Sequence, residues 1–128
     1  MNSRILLQLI LFCVLTFPVF SQNSTKKNEI GYIRIQLNDI ETWDQASQID
    51  GLIRSKQGVV LTRTDNYSDT FYAQYDLESI TEADFVTWIQ SLGFTTKCIV
   101  TGISNGEPFK EFPRECSEQH QESQERTH

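Results

Sequence analysis

Of the side chains able to act as soft metal ligands or nucleophiles, this chain of 128 residues has three cysteines and two histidines, and four of the five lie near its C-terminal end: Cys98, Cys116, His120 and His128, with Cys13 apart. Cys116 and His120 have C-x3-H spacing, and His128 could join them. A thiolate with imidazoles suits copper or zinc, so these are the tail's candidate metal ligands. Cys98 and Cys116 could instead pair. A disulfide closing such a loop stabilises by about 3 kcal/mol. The competing reading follows from strand phase: Cys98 alternates with Thr96 and Val100, a face expected against the helices, where a thiol is buried and inert. Catalysis finds no support. No histidine precedes residue 120, so no His-based triad or dyad lies within the fold, and the carboxylates have no acid–base context. Asp39, Glu41 and Asp44 cluster before a helix start, where the dipole favours them. They could attract a hard cation weakly, but lack the ligand spacing of a calcium loop. No enzyme and no cofactor is expected.

Those residues depend on where the chain resides. Arg4 precedes an apolar run from Ile5 to Phe20, broken by Gln8, Thr16 and Pro18, and Val19-Phe20-Ser21 places small residues before Gln22. This is the layout of a cleaved secretory signal over residues 1–21. The run is short for a membrane span, which needs about 20 apolar residues. Export, to a periplasmic or extracellular space, is the expected localisation, and there thiols pair. Cleavage removes Cys13 and Arg4, leaving 10 basic against 17 acidic residues, a net charge of −7. With no basic stripe, nucleic acid is not an expected partner. Asn23-Ser24-Thr25 and Asn66-Tyr67-Ser68 are glycosylation sequons, of use only in a eukaryotic secretory path.

The elements that must position these groups follow from periodicity. Residues 22–29 read as a polar, flexible leader. Ile33, Ile35 and Leu37 alternate with polar neighbours as a half-buried strand. Thr42-Trp43-Asp44-Gln45 fits a capping box, and Ala46, Ile49, Leu52 and Ile53 share one helical face, with Gly58 ending the helix. Val60, Thr62 and Thr64 lie on one side of a second strand. Asp65–Asp69 is a turn cluster, and Phe71, Ala73 and Tyr75 alternate in a third strand. Ser79-Ile80-Thr81-Glu82 reads as another capping box, before Phe85, Trp88, Ile89 and Leu92 at helical spacing and a stop at Gly93. Thr96, Cys98 and Val100 mark a fourth strand. The order β-α-β-β-α-β predicts a ferredoxin-like α+β domain over 30–102: a four-stranded antiparallel sheet with two helices on one face and the other face open. Residues 103–128 read as a polar, largely disordered tail, most so from Ser117.

Residues 30–101 resemble a heavy-metal-associated domain, the small copper-chaperone-type fold. The resemblance rests on Ile49, Leu52 and Ile53 in the first helix, Gly58-Val59, Phe71-x-Ala73-x-Tyr75-Asp76, and Leu92-Gly93-Phe94. It implies a Cys-x-x-Cys pair between first strand and first helix, where two thiolates hold a soft cation such as Cu(I). Counted back from Gly58, that pair falls at Thr42 and Gln45, and no residue between Gly31 and Lys97 is Cys or His. The resemblance therefore implies the scaffold without its metal ligands. The run from Phe109 through Pro113 to Cys116, with His120 beyond, also resembles the ending of some exported bacterial members, which carry paired cysteines.

On that scaffold the open face should present Tyr32, Arg34 and Gln36 with Tyr72 and Gln74, flanked by Leu61, Arg63, Lys97 and Ile99. Tyr and Arg are favoured interface anchors, so this face is the expected interaction surface, with Tyr32 and Tyr72 as accessible neighbours. Trp43, at the vacated metal loop, is a further contact candidate, whereas Trp88 belongs to the core. The expected role is recognition of an unidentified exported protein, or self-association; the rival is copper or zinc binding or buffering by the tail.

Overall fold

In a computed structural model, residues 27–116 are described. Strands β1 (Ile30–Leu37), β2 (Val59–Asp65), β3 (Thr70–Asp76) and β4 (Thr96–Ile103) form one antiparallel sheet in the order β2-β3-β1-β4. Helices α1 (Trp43–Arg54) and α2 (Glu82–Ser91) cover one face. This is the ferredoxin-like arrangement. β1 and β3 are central, so their inward residues meet both helices: Ile33, Ile35 and Leu37 with Phe71, Ala73 and Tyr75. Ala46, Ile49 and Ile53 of α1 and Phe85 and Ile89 of α2 complete the core. Phe85 is its hub, with ring centroids 4.8 Å from Tyr75, 5.4 Å from Trp88 and 6.0 Å from Phe71. Burial raises the pKa of the Tyr75 hydroxyl, and the nearby Glu82 charge adds to the effect.

Both helices begin where side chains satisfy their free amides. α1 starts at the expected box, capped by Thr42 with Gln45 reaching back. α2 starts two residues later than expected: Thr81, not Ser79, is its cap, and Asp84 is the returning side chain. Gly93, at φ +89, follows the end of α2 and turns the chain toward β4. Gly58, at φ +94, lies beyond the end of α1 and admits the chain to β2.

Two strand registers slip, and each slip changes what a strand shows to either side. Between Val59 and Leu61, β2 carries an extra residue against β3. Val59 therefore packs on the core with Thr62 and Thr64 in phase, while Val60, expected among them, is 60% exposed. In β4, Leu37 pairs with Thr96 but Gln36 pairs with Cys98, so Lys97 is the extra residue. An inserted residue reverses every later side chain. Ile99 consequently faces the core, and Cys98 and Val100 face the open side beside Gln36 and Arg34, the reverse of the sequence expectation.

The outer edge of β2 is occupied by α1. Asp50 accepts from the Thr64 backbone N–H at 3.1 Å and from its hydroxyl at 2.8 Å. Arg54 donates to the Thr62 carbonyl at 3.3 Å.

Candidate functional site

The connection from β1 to α1 holds the position at which a metal pair is expected by resemblance. Thr42 is extended and its Oγ1 accepts the Gln45 N–H at 3.3 Å. Gln45 Oε1 returns to accept from the Thr42 N–H at 3.2 Å and the Glu41 N–H at 2.8 Å. Both side chains at this spacing are neutral oxygen groups already engaged in closing the helix end. They do not fit a soft cation, which needs thiolates. Trp43 stands between them, 72% exposed, which favours the contact candidate over the alternative that it covers the helix end with Ile40. Its ring borders a shallow groove between α1 and β2, lined by Ala46, Ser47, Gly51, Arg54 and Thr64. Asp39, Glu41 and Asp44 are exposed around this loop, and among the described residues no three carboxylate, His or Cys side chains converge on a metal position.

The opposite face of the sheet is not open. After β4 the chain turns at Gly106, where φ is +87, and runs back across the sheet as a strap, residues 104–116. Phe109 lies against both tyrosines, its ring centroid 4.8 Å from Tyr32 and 5.2 Å from Tyr72. The Lys110 N–H donates to the Tyr32 hydroxyl at 2.9 Å, and Arg34 donates to the Lys110 carbonyl at 2.8 Å. Arg34 also stacks 4.8 Å from the centroid of Phe112. Cys116 ends the strap in a disulfide with Cys98, Cα atoms 6.1 Å apart.

Three sequence expectations change here. Tyr32 is 3% exposed rather than accessible, because the strap covers it; Tyr72 is half-buried, and the two, diagonal neighbours on paired strands, both lie against Phe109. Residues 103–116, read as part of a disordered tail, form an ordered segment held by aromatic contacts, hydrogen bonds and a disulfide. Cys98 is not packed on the helices, because the Lys97 bulge turns it outward, where Cys116 meets it. Cys116 therefore carries no free thiolate for a tail metal site. His120 and His128, the signal at 1–21, most of the leader and the tail from Ser117 lie outside the described residues.

The strap leaves part of the sheet uncovered on the β2 side. Arg34, Leu61, Arg63, Tyr72 and Phe109 line a groove of about 630 Å³ there. Phe109, Lys110 and Phe112 are the surface-building residues that sequence reasoning missed. Their signal was two aromatic residues at a spacing of three, just before a cysteine. The remaining electrostatic features are turns. Asp65 is held below the usual carboxylate range by the Tyr67 N–H and the Ser68 hydroxyl, and Asp76 by the Glu78 N–H and the Asn28 amide.

No protein-family model and no curated protein sequence matches this chain. Solved structures do. A Bacillus anthracis str. Ames protein described as copper-ion-binding superposes with a TM-score of 0.52 at 17% identity, over 56% of this chain and all (100%) of that one. The N-terminal domain of a potential copper-translocating P-type ATPase from Bacillus subtilis gives 0.51 at 15% identity, covering 53% of this chain and 85% of that one. A structure titled CopZ metallochaperone gives 0.50 at 12% identity, covering 52% and 98%. At these identities the likeness is one of fold: residues 30–103 have the fold of heavy-metal-associated domains.

Proposed function

We propose that this is a non-enzymatic, exported recognition domain that uses a copper-chaperone scaffold to present protein surface where that scaffold otherwise presents thiolates. The observation that carries the reading is the Thr42–Gln45 pair. At the helix start, where two sulfurs would be needed, two neutral side chains are consumed in hydrogen bonds to the backbone, and Trp43 between them is left 72% exposed. Trp is among the residues most enriched as energetic anchors of interfaces, and this one lies exposed beside a groove. The Cys98–Cys116 bond supports an oxidising compartment, in line with the N-terminal export pattern. The same bond counts against the rival reading of a tail metal site, because a thiolate must be free to ligate.

The partner is another exported protein or a second copy of this chain. The test has two arms. Cu(I) titration of the unaltered chain against a competing chelator should show no tight site, and tight binding would overturn the reading. Affinity capture from the exported fraction, or self-association by sedimentation, should be weakened at least about tenfold by Trp43→Ala, since anchor residues contribute more than 1 kcal/mol. An association indifferent to Trp43→Ala would move recognition away from this loop.

A further inference from the structure

The strap has the contacts of a bound peptide ligand. Ser104 anchors the start of the strap, accepting from the Gln74 amide at 3.2 Å and donating its N–H to the Ile30 carbonyl at 2.9 Å, and beyond the turn the contacts with the sheet come from residues 109–116. Phe109 fills the gap between Tyr32 and Tyr72, its backbone neighbour Lys110 uses both its N–H and its carbonyl, and Phe112 lies under the Arg34 guanidinium. Only an exposed turn, residues 105–108, joins this ligand to its receptor. The far end is closed by one covalent bond, Cys98–Cys116. On the covered face Tyr32 folds over Gly102, its partner across β1 and β4, so that a side chain carbon on Gly102 would come within 2.6 Å of the ring.

We infer that the Tyr32–Arg34–Tyr72 face is a peptide-binding surface kept occupied by the chain's own strap, and that the Cys98–Cys116 disulfide is its latch. The partner it fits is an extended segment with the strap's chemistry: an aromatic residue, two further residues, then an aromatic followed by proline. A dithiol opens the latch. One thiolate of the dithiol attacks the sulfur of Cys98, the more exposed of the two half-cystines, and Cys116 leaves as a thiolate that takes up a proton. The second thiol of the reductant then displaces Cys98 from the mixed disulfide. Two electrons pass from the dithiol to the latch, giving two protein thiols and an oxidised dithiol. Closed, the strap is held permanently on the face. Open, it is a tethered competitor, present at an effective concentration on the order of millimolar for a short flexible connection. A strong partner segment can then displace it. This surface is opposite the helices and does not depend on the reading of Trp43.

The experiment uses a fluorescent synthetic peptide covering residues 106–114 and the purified chain in three forms, read by anisotropy. The oxidised chain should not bind it. The chain reduced with dithiothreitol should bind it saturably but weakly, because the strap competes. A triple variant, Phe109→Ala, Phe112→Ala and Cys116→Ser, lacks both competitor and latch and should bind at least about tenfold more tightly than the reduced chain. Adding Arg34→Ala or Tyr72→Ala to that variant should remove the gain. Trp43→Ala should change none of these values. In parallel, the Lys110 amide should exchange slowly in the oxidised chain and rapidly once reduced chain is saturated with peptide. Equal peptide binding in all forms, or none by the triple variant, overturns the proposal. So does loss of the far-UV signature of the sheet on reduction or in Cys98→Ala/Cys116→Ala, since the bond would then brace the fold rather than latch the strap.

Discussion

Placing cysteines at Thr42 and Gln45 should destabilise the free protein and then make its stability depend on copper. The first half follows from what the two side chains do. Thr42 accepts one helix amide, and Gln45 accepts two more from Thr42 and Glu41. Cysteine replaces neither role well. Losing an N-cap acceptor costs typically about 1 kcal/mol, within a range of 0.5–2, and the loss of the returning side chain adds a smaller amount because those amides reach water. A total of about 1–2 kcal/mol corresponds to a fall in Tm of roughly 5–15 °C for a domain of this size. The second half follows from position. Cap and third helical residue reach each other across the first turn, so two sulfurs there share one helix N-terminus, whose field favours thiolates. A ligand at 1,000 times its Kd adds about 4 kcal/mol, more than the cap loses, so Cu(I) should lift Tm above that of the unaltered chain. The assay is thermal unfolding under anaerobic conditions with Cu(I) supplied as a weak complex and no thiol reductant, which would break Cys98–Cys116. A metal-free variant as stable as the parent would refute the capping argument. A variant with lowered Tm that copper does not raise would refute the placement of Thr42 and Gln45 on the metal-pair positions.

Further outcomes follow from single contacts. Gly102→Ala should cost about 1–3 kcal/mol, because the new methyl meets the Tyr32 ring at 2.6 Å and either ring or strand must shift; a Tm unchanged within error would contradict it. Tyr32→Phe should cost about 1 kcal/mol and speed hydrogen exchange at Lys110, whose N–H loses its acceptor, while exchange in α1 stays as before. Acid should weaken the fold through Asp76 and Asp65. Their pKa values are lowered in the folded state from the ordinary 3.8, so their contribution is present in full above that value and is lost as pH falls through the lowered ones. Carboxyl NMR titrations should show both groups protonating below 3.8, and midpoints above it would reverse the sign.

The element order was readable because each element carries its own local signal. Alternation in Ile33–Leu37 and Phe71–Tyr75, the Thr42–Gln45 box and the glycine after α2 are all short-range, and all are found where expected. The second box shifted because Ser79-x-x-Glu82 and Thr81-x-x-Asp84 both satisfy the pattern, and only packing of Phe85 and Ile89 selects between them. The bulges were not readable. Whether Lys97 belongs to the pleat is decided by its pairing with β1, and no property of Lys97 alone reveals it. That single unread residue inverted the faces of Cys98, Ile99 and Val100. The strap was hidden for a related reason. Its polar composition resembles a disordered tail, and the two aromatics and one cysteine that order it act only against residues far earlier in the chain. At the candidate site, the place of Trp43 after a cap left open whether its ring would cover the helix end with Ile40 or stand exposed; the covering of Tyr32 did not follow from anything near Tyr32.

The contacts of Asp50 and Arg54 with β2 bear on how that edge meets other chains. An edge strand whose outward amides and carbonyls are free is a template on which another chain can lay a strand, and such growth need not stop at two. Here the outward N–H of Thr64 and the outward carbonyl of Thr62 are already taken by helix side chains, and Val60 bulges out of the pleat just before them. An incoming strand would have to evict a carboxylate and a guanidinium to form a continuous ladder here. At high concentration the chain would thus be hindered from zipping edge to edge along β2 by a helix whose other face builds the core.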